Sequence, residues 1–541
     1  MDRVEPPTEQ SRASNGATAS RPAAPLHYSI QLTDRQRMAV TGGVMLGMFL
    51  GALEATVVGT AMPTVIAELK GLNLYSWLIS GYILTSTIAG PIWGRLSDLY
   101  GRRLFYLIGT GVFLIGSVLS GLAQSMEQLI IFRALQGIGA GALLPLSMTI
   151  IGEIYSLEKR ARMQGIFSGV WGFASIVGPL VGGFLTDYWN WRSVFFINIP
   201  FGLASMVVLG LAMKEPKEGH RPFSLDYAGI VLMTGSISAL LLGLSHAGQR
   251  IENWTAPETI GLFAAFVVLL VLFLWVETRA EHPLIPLSLF RERVMAVSSA
   301  NGFFVGMAMF GSLSFIPLFV QAVIGTTATE AGSTMTPFML SWVVAATLGG
   351  RLMLRMGYRL IAIAGVACLV VGFGLLTWLT SGSTRLDVMR DLVFAGVGMG
   401  FCLVTLTIAV QNSVPRDRLG IATSATVFFR SIGGAVGVAV MGAVMGAVMS
   451  LHLNQQLTQL VSTTTGPVAK ELAELAQHPE LIVSQATRVK LNPEVAHDVQ
   501  GALSVALNYV FIIGLIVAIL AFFVTLFLPD GRVRDQQHAR R

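Results

Sequence analysis

Gly94-Arg95-Leu96-Ser97-Asp98-Leu99-Tyr100-Gly101-Arg102-Arg103 and Gly350-Arg351-Leu352-Met353-Leu354-Arg355-Met356-Gly357-Tyr358-Arg359 are two versions of one phrase. Gly94, Arg95, Leu96, Gly101 and Arg103 recur as Gly350, Arg351, Leu352, Gly357 and Arg359 at one constant offset. Each copy ends one long apolar run and begins another, so the phrase reads as a short basic connection between hydrophobic helices, used twice. Such a duplication marks a chain built from two related halves.

The flanking sequence fixes the medium. Of 541 residues 53% are hydrophobic and 12% charged, about half the ~25% charge of an average soluble domain. With ~20 apolar residues needed per membrane-spanning helix, fourteen candidate spans are bounded by charges, Pro or Gly: 38–61, 76–93, 104–123, 128–151, 163–185, 194–213, 227–244, 259–276, 294–320, 333–353, 360–379, 392–410, 423–450 and 502–528. The first copy of the phrase follows the second span and the other follows the tenth. Two abutting six-span bundles would separate the copies by six spans, so the seventh and eighth are additions between the halves. The expected fold is therefore an all-α polytopic membrane protein of two six-helix bundles, residues 38–213 and 294–528, with two inserted helices in residues 214–293. Residues 1–37, rich in Pro, Ser and Ala, read as a disordered tail without the apolar core of a signal peptide. Residues 529–541 form a second tail. The long connection 451–500 continues the preceding helix over Leu453–Leu460 and reads as a short helix over Val468–Ala476; it is either a folded cap or a docking site.

Orientation follows from the basic residues, which cytoplasmic loops hold in excess. With the N-terminus inside, the cytoplasmic segments, counting Arg351 at the end of the tenth span, hold 26 of the 36 Lys and Arg, the outside segments 8, and Arg133 and Arg430 lie deep within spans. Both termini are then cytoplasmic in a cell membrane. The formal charge of +6 reads as topology rather than as affinity for nucleic acid. Cys368 and Cys402 both lie in apolar runs, which leaves neither a disulfide framework nor a metal cluster. A phosphate-binding Gly-x-x-x-x-Gly-Lys-Ser/Thr loop is absent from the sequence, which argues against a self-contained ATP-driven pump.

The spans carry further phrases: Arg133-Ala134-Leu135-Gln136-Gly137-Ile138-Gly139-Ala140-Gly141, Gly178-Pro179-Leu180-Val181-Gly182-Gly183, Trp191-Arg192-Ser193-Val194-Phe195-Phe196-Ile197-Asn198-Ile199-Pro200, His282-Pro283-Leu284-Ile285-Pro286 and Phe429-Arg430-Ser431-Ile432-Gly433-Gly434. Together and in this order they resemble the major facilitator superfamily, in particular its fourteen-spanner drug:proton antiporters, over nearly the whole chain from the first span. The first span departs from that pattern. Where the family shows Leu-Asp-x-Thr, this chain has Leu53-Glu54-Ala55-Thr56 before Pro63, a carboxylate on an arm one methylene longer. The resemblance implies an exporter driven by the proton gradient without a cofactor. It also implies a latch on one side of the membrane at Gly94, Asp98, Gly101, Arg102 and Arg103, and an antiporter motif at Gly178, Pro179, Gly182 and Gly183.

The charges can be read without the resemblance. A charge deep in a span is unfavourable by at least ~2.5 kcal/mol, so each should face a cavity or a partner. Three qualify: Glu54, Arg133 and Arg430. Rising ~1.5 Å per residue, Glu54 and Arg133 reach nearly one height, roughly 20 Å into a ~30 Å core. A carboxylate is pushed toward its protonated form by desolvation and away from it by an adjacent Arg, so a contact that changes between conformations binds and releases a proton. A static ion pair is the other reading. For Arg430 a structural and a substrate role stand level. The sequence places Tyr82, Gln136, Trp171, Asn301, Phe303, Phe310, Trp342 and Arg430 as candidates to line a substrate cavity; aromatic residues on membrane helices also serve as plain packing. Expected partners are small lipophilic substrates, protons and the bilayer, for a monomer with no indicated adaptor protein. Three function classes follow: proton-coupled efflux, export of an endogenous lipid or siderophore-like compound, and a non-transporting scaffold or receptor.

Overall fold

The computed structural model describes residues 32–71, 74–155, 157–213, 226–248, 251–280, 283, 287–414, 419–463 and 493–529. It is helical throughout. The helices are α1 Asp34–Leu69, α2 Tyr75–Tyr100, α3 Arg102–Leu122, α4 Met126–Ile154, α5 Leu157–Tyr188, α6 Ser193–Phe196, α7 Asn198–Ala212, α8 Tyr227–Ala247, α9 Pro257–Glu277, α10 Arg293–Leu318, α11 Ala328–Thr334, α12 Thr336–Met356, α13 Tyr358–Leu376, α14 Arg385–Ser413, α15 Leu419–Thr463 and α16 Pro493–Leu526. In lipid the backbone must satisfy its own polar groups, and a continuous helix does so. Side chains finish the ends: Thr33, Thr327 and Thr384 head capping boxes with Gln36, Glu330 and Asp387. The box at Thr33 starts α1 within the expected tail, at Asp34, because capping rather than apolarity sets a helix start.

Each of the fourteen expected spans falls on helix, with α6–α7 making the sixth and α11–α12 the tenth. Twelve segments among the described residues are long and apolar enough to cross a membrane. The two that fall short are α2 and α12, the helices that end at the duplicated phrase. Both are long enough; their content of Ser, Thr, Gly and, in α12, Arg351 and Arg355 lowers their apolarity. Their placement explains the tolerance, since α2 packs on α15 and α12 on α5, across the two halves rather than wholly against lipid. The phrase itself makes the same turn twice. Gly101 (φ 105°) and Gly357 (φ 83°) occupy the left-handed region, which side chains with a Cβ avoid. Their amides close the preceding helix on Ser97 O and Met353 O, each at 3.0 Å.

Helices α1–α7 pack mainly on one another, as do α10 and α12–α16, while α11 packs chiefly on α5. The halves meet most tightly at the end to which α1 runs, here termed the distal end. There Gln321 donates to Thr60 O (3.0 Å), Ser80 to Ala435 O (2.9 Å) and the Tyr75 hydroxyl to Ser314 O. Asp187 at the end of α5 accepts from Ala328 N (3.1 Å) and Thr329 N (2.7 Å), so a carboxylate of one half caps α11 of the other. Such a cap suits the positive end of a helix. The inserted pair α8–α9 lies outside this seam: α8 packs on α2 and α15, and α9 chiefly on α8. Residues 1–31, the proposed helix at 468–476 and the tail beyond 529 lie outside the described residues.

Candidate functional site

Glu54 and Arg133 meet. Helix α1 carries the carboxylate inward until it is 1% exposed, and α4 brings the guanidinium beside it at 4%. Arg133 Nη1 pairs with Glu54 Oε1 and also donates to Gln136 Oε1 at 2.8 Å. Gln136 lies three residues on, so both side chains share one face of α4. The chain of contacts continues outward. Gln136 Nε2 donates to Ser117 Oγ on α3 (3.1 Å), and Asn198 Nδ2 donates both to Ser117 Oγ (2.8 Å) and to Glu54 Oε2 (2.5 Å). Asn198 opens α7 after the break at Ile197, and Ser117 donates to Phe195 O beside that break (2.9 Å). Four helices of the first half thus converge on one enclosed polar cluster, in which Gln136, Asn198 and Ser117 are each 0% exposed.

Its lid is aromatic. The Tyr82 ring lies 4.2 Å beneath the Arg133 guanidinium, with Phe195 at 5.9 Å, a cation–π arrangement. Tyr82 belongs to α2, the helix that also touches α15 in the other half, so the buried charge is one ring away from the seam. Two polar atoms of the cluster remain without a hydrogen bond, Arg133 Nε and Asn198 Oδ1. Sequence reasoning missed Ser117 and Asn198. An amide two residues before Pro200 in an apolar run was the available signal for Asn198; Ser117 had none.

The remaining candidates do not gather into one site. Gln136 was expected to line a cavity and instead sits inside the cluster, because its spacing from Arg133 turns it the same way. Asn301 is likewise enclosed: it donates to Thr525 Oγ1 (2.5 Å) and Ala521 O (3.2 Å), and its Oδ1 accepts from Cys402 Sγ (3.2 Å). It ties α10 to α16 and α14. Trp171 packs against the Met48 and Ile150 core of the first half. Phe303 stacks edge-on to Phe304 (5.6 Å) and Trp342 packs on Phe338 (5.9 Å). Phe310 faces Gly434. Arg430 is half-buried on α15 and, among the described residues, has no ion-pair or hydrogen-bond partner.

In the antiporter motif, a Cβ at Gly178 would fall 2.0 Å from Thr56 Oγ1 and one at Gly182 2.4 Å from Val57 O, both on α1. At Gly183 it would fall 2.5 Å from Thr329 Cα, in the other half. Pro179 O meets α11 at Gly332. The motif therefore welds α5 to α1 on one side and seats it on α11 on the other. Of the latch residues, Arg102 donates to Ser97 Oγ at 2.8 Å; Gly94 lies within α2 and Arg103 in the first turn of α3. The Asp98 side chain lies outside what the structure describes.

Residues 44–438 match the sequence family described as the Major Facilitator Superfamily. The chain belongs to that superfamily. Its similarity to relatives is extensive. It is 39% identical to the multidrug transporter protein MdtP of Bacillus subtilis over 402 residues, covering 74% of each chain. It is 36% identical to multidrug resistance protein 3 of the same organism, covering 91% of this chain and 95% of that one. Among solved structures it resembles a bacterial homolog of the human lysosomal transporter Spinster, with a TM-score of 0.64, 17% identity, and 92% and 97% of the two chains covered. At that identity the likeness concerns the fold. A major facilitator is a membrane transporter, not an enzyme.

Proposed function

We propose that the chain exports lipophilic small molecules from the cell in exchange for protons, by alternating access between its two halves. The observation that carries this reading is the buried Glu54–Arg133 pair with its ring of Gln136, Ser117 and Asn198. A proton on Glu54 neutralises the carboxylate and loosens its hold on Arg133. Asn198 is suited to follow that change, since an amide rotated half a turn offers Oδ1 to a carboxylic O–H where it now offers Nδ2 to a carboxylate. The released guanidinium bears on Tyr82, and α2 passes the shift to α15 across the seam. The names of the relatives support the cargo class, and the gradient supplies the energy without a cofactor. In this reading the protein is a monomer of the cell membrane with both termini cytoplasmic.

The test is rhodamine 6G transport in proteoliposomes with and without an imposed pH gradient. Wild-type protein should accelerate transport when the gradient is present. Glu54→Gln should abolish that acceleration while rhodamine 6G binding persists. Full gradient-driven transport by the variant would remove Glu54 from the mechanism.

A further inference from the structure

Arg430 stands in contrast to Arg133. The arginine of the first half is neutralised by Glu54, whereas among the described residues Arg430 has neither an ion pair nor a hydrogen bond. It lies where α15 crosses α10 at two glycines. A Cβ at Gly306 would fall 2.1 Å from Arg430 O, and one at Gly302 3.9 Å from Arg430 Cβ, so α10 offers bare backbone beside the arginine rather than an acceptor side chain. Asn301, next to Gly302 in the chain, is already engaged by Thr525, Ala521 and Cys402. The side chain is only half-buried, which leaves an approach to it open.

Among the described residues the carboxylates of the second half stand near helix starts rather than beside Arg430, with Glu494 and Asp498 in the first two turns of α16. Between Val294 and Ser450 the carboxylates are Glu330, Asp387, Asp391 and Asp417. Glu330 pairs with Arg385, Asp387 caps α14, and Asp391 pairs with Arg390; all three belong to the distal end. Asp391 stands roughly 16 Å along α14 from the level of Cys402. Asp417 precedes α15 in the sequence. A guanidinium held within a span favours an anion that reaches it, and a planar fork takes two oxygens at once. Among the described residues no carboxylate pairs with Arg430, and the deep one, Glu54, is engaged by Arg133, so an anion arriving from outside would fill that place.

We propose that Arg430 anchors an acidic group on the cargo, a carboxylate, sulfonate or phosphate carried by an amphipathic molecule. The inference rests on the reading of the chain as an exporter of small molecules, but not on proton coupling, and its test is one of binding alone. Rhodamine B and its methyl ester share one ring system and differ at a single carboxylate. Their affinities are measured by fluorescence polarisation on full-length protein in phosphatidylcholine nanodiscs, without a gradient. Wild-type protein should bind the free acid at least tenfold more tightly than the ester. Arg430→Gln should weaken binding of the acid to the level of the ester and leave the ester unchanged, while Arg430→Lys keeps part of the preference. A thermal melt shows whether each variant is folded. In the unaltered protein, 1-pyrenebutyrate should displace rhodamine B where 1-pyrenebutanol does not, which tests the anchor without any variant. Equal affinity of the wild type for acid and ester, or a preference that survives Arg430→Gln, overturns the proposal. Loss of the preference when phosphatidylglycerol is added would assign Arg430 to a lipid headgroup and likewise overturn it.

Discussion

Gly183→Ala should force the distal seam apart, while the neighbouring Gly182→Ala should not. At Gly183 the added methyl would meet Thr329 Cα at 2.5 Å, Ala328 O at 2.6 Å and Thr329 N at 2.7 Å. All three are backbone atoms of the other half, unable to rotate away. Carbon contacts settle at ~3.5–4.0 Å, so α5 and α11 must part by about 1 Å, straining the bonds from Asp187 to Ala328 and Thr329. Overpacking of this kind is unfavourable by about 1–3 kcal/mol. Since ~1.4 kcal/mol is tenfold in a population, the distally closed state should lose roughly 5- to 150-fold relative to a distally open one. At Gly182 the obstructing Val57 O belongs to α1 of the same half, so the strain falls on folding and not on the balance of states. Spin labels at Trp189→Cys and Leu386→Cys, 76% and 75% exposed in the native chain, report the distal separation by pulsed electron resonance once Cys368 and Cys402 are replaced by Ser. Gly183→Ala should shift the distances outward, and Gly182→Ala should lower the melting temperature with the distances unmoved. Identical distances for Gly183→Ala and wild type, or an equal opening by Gly182→Ala, would refute the assignment of Gly183 to the seam.

In a double-mutant cycle, Glu54→Gln and Arg133→Gln should each destabilise the fold by about 3 kcal/mol through the buried charge left alone, and the double variant by less than their sum; additivity in mixed-micelle unfolding would contradict the pairing. The latch implied at Asp98 and Arg102 should, when changed to Asp98→Asn or Arg102→Ala, slow the transport cycle without changing which compounds compete for binding; altered selectivity would relocate those residues to the cargo site. With Glu54 as the single deep carboxylate, about one proton should exchange per cargo molecule, so collapsing the membrane potential with potassium and valinomycin should slow export of a neutral compound and spare a monocation. Robust potential-driven export of a dication would show that more protons are coupled.

Much of this was legible because lipid makes chemistry conspicuous. A carboxylate in the run Met48 to Thr60 and an arginine in the fourth span stand out against apolar neighbours, and helix rise alone puts them at one height. The amide and hydroxyl that complete the cluster did not stand out. Ser117 is one of several serines and threonines in its helix, and small polar residues in membrane helices satisfy themselves on the backbone, as Thr110 does on Tyr106 O (2.8 Å). Asn198 depends on the break at Ile197, which moves its helix start, and apolar periodicity does not register a one-residue break. For α2 and α12, polarity reflects packing partners that belong to the tertiary fold: a helix seated against another half needs less apolar surface than one seated in lipid.

The peripheral hairpin bears on how the protein is made. Helix α8 finds part of its packing surface on α15, where Gly248 lies against Ala443 and Gly446, and those partners come about 200 residues later in the chain. At ~5–20 residues per second, synthesis takes roughly 10–40 s to reach them. Until then α8 has α9, α2 and lipid for company, and its α15 face lacks its partner. Helix α9, buried only at Thr259, Phe273 and Glu277, is already in its final surroundings as soon as it is inserted. The hairpin therefore enters the bilayer as a half-finished subassembly, with α9 keeping α8 upright until the thirteenth span arrives. Damage to α9 should appear as a defect of assembly, lowering the yield of folded protein while the molecules that do fold work normally.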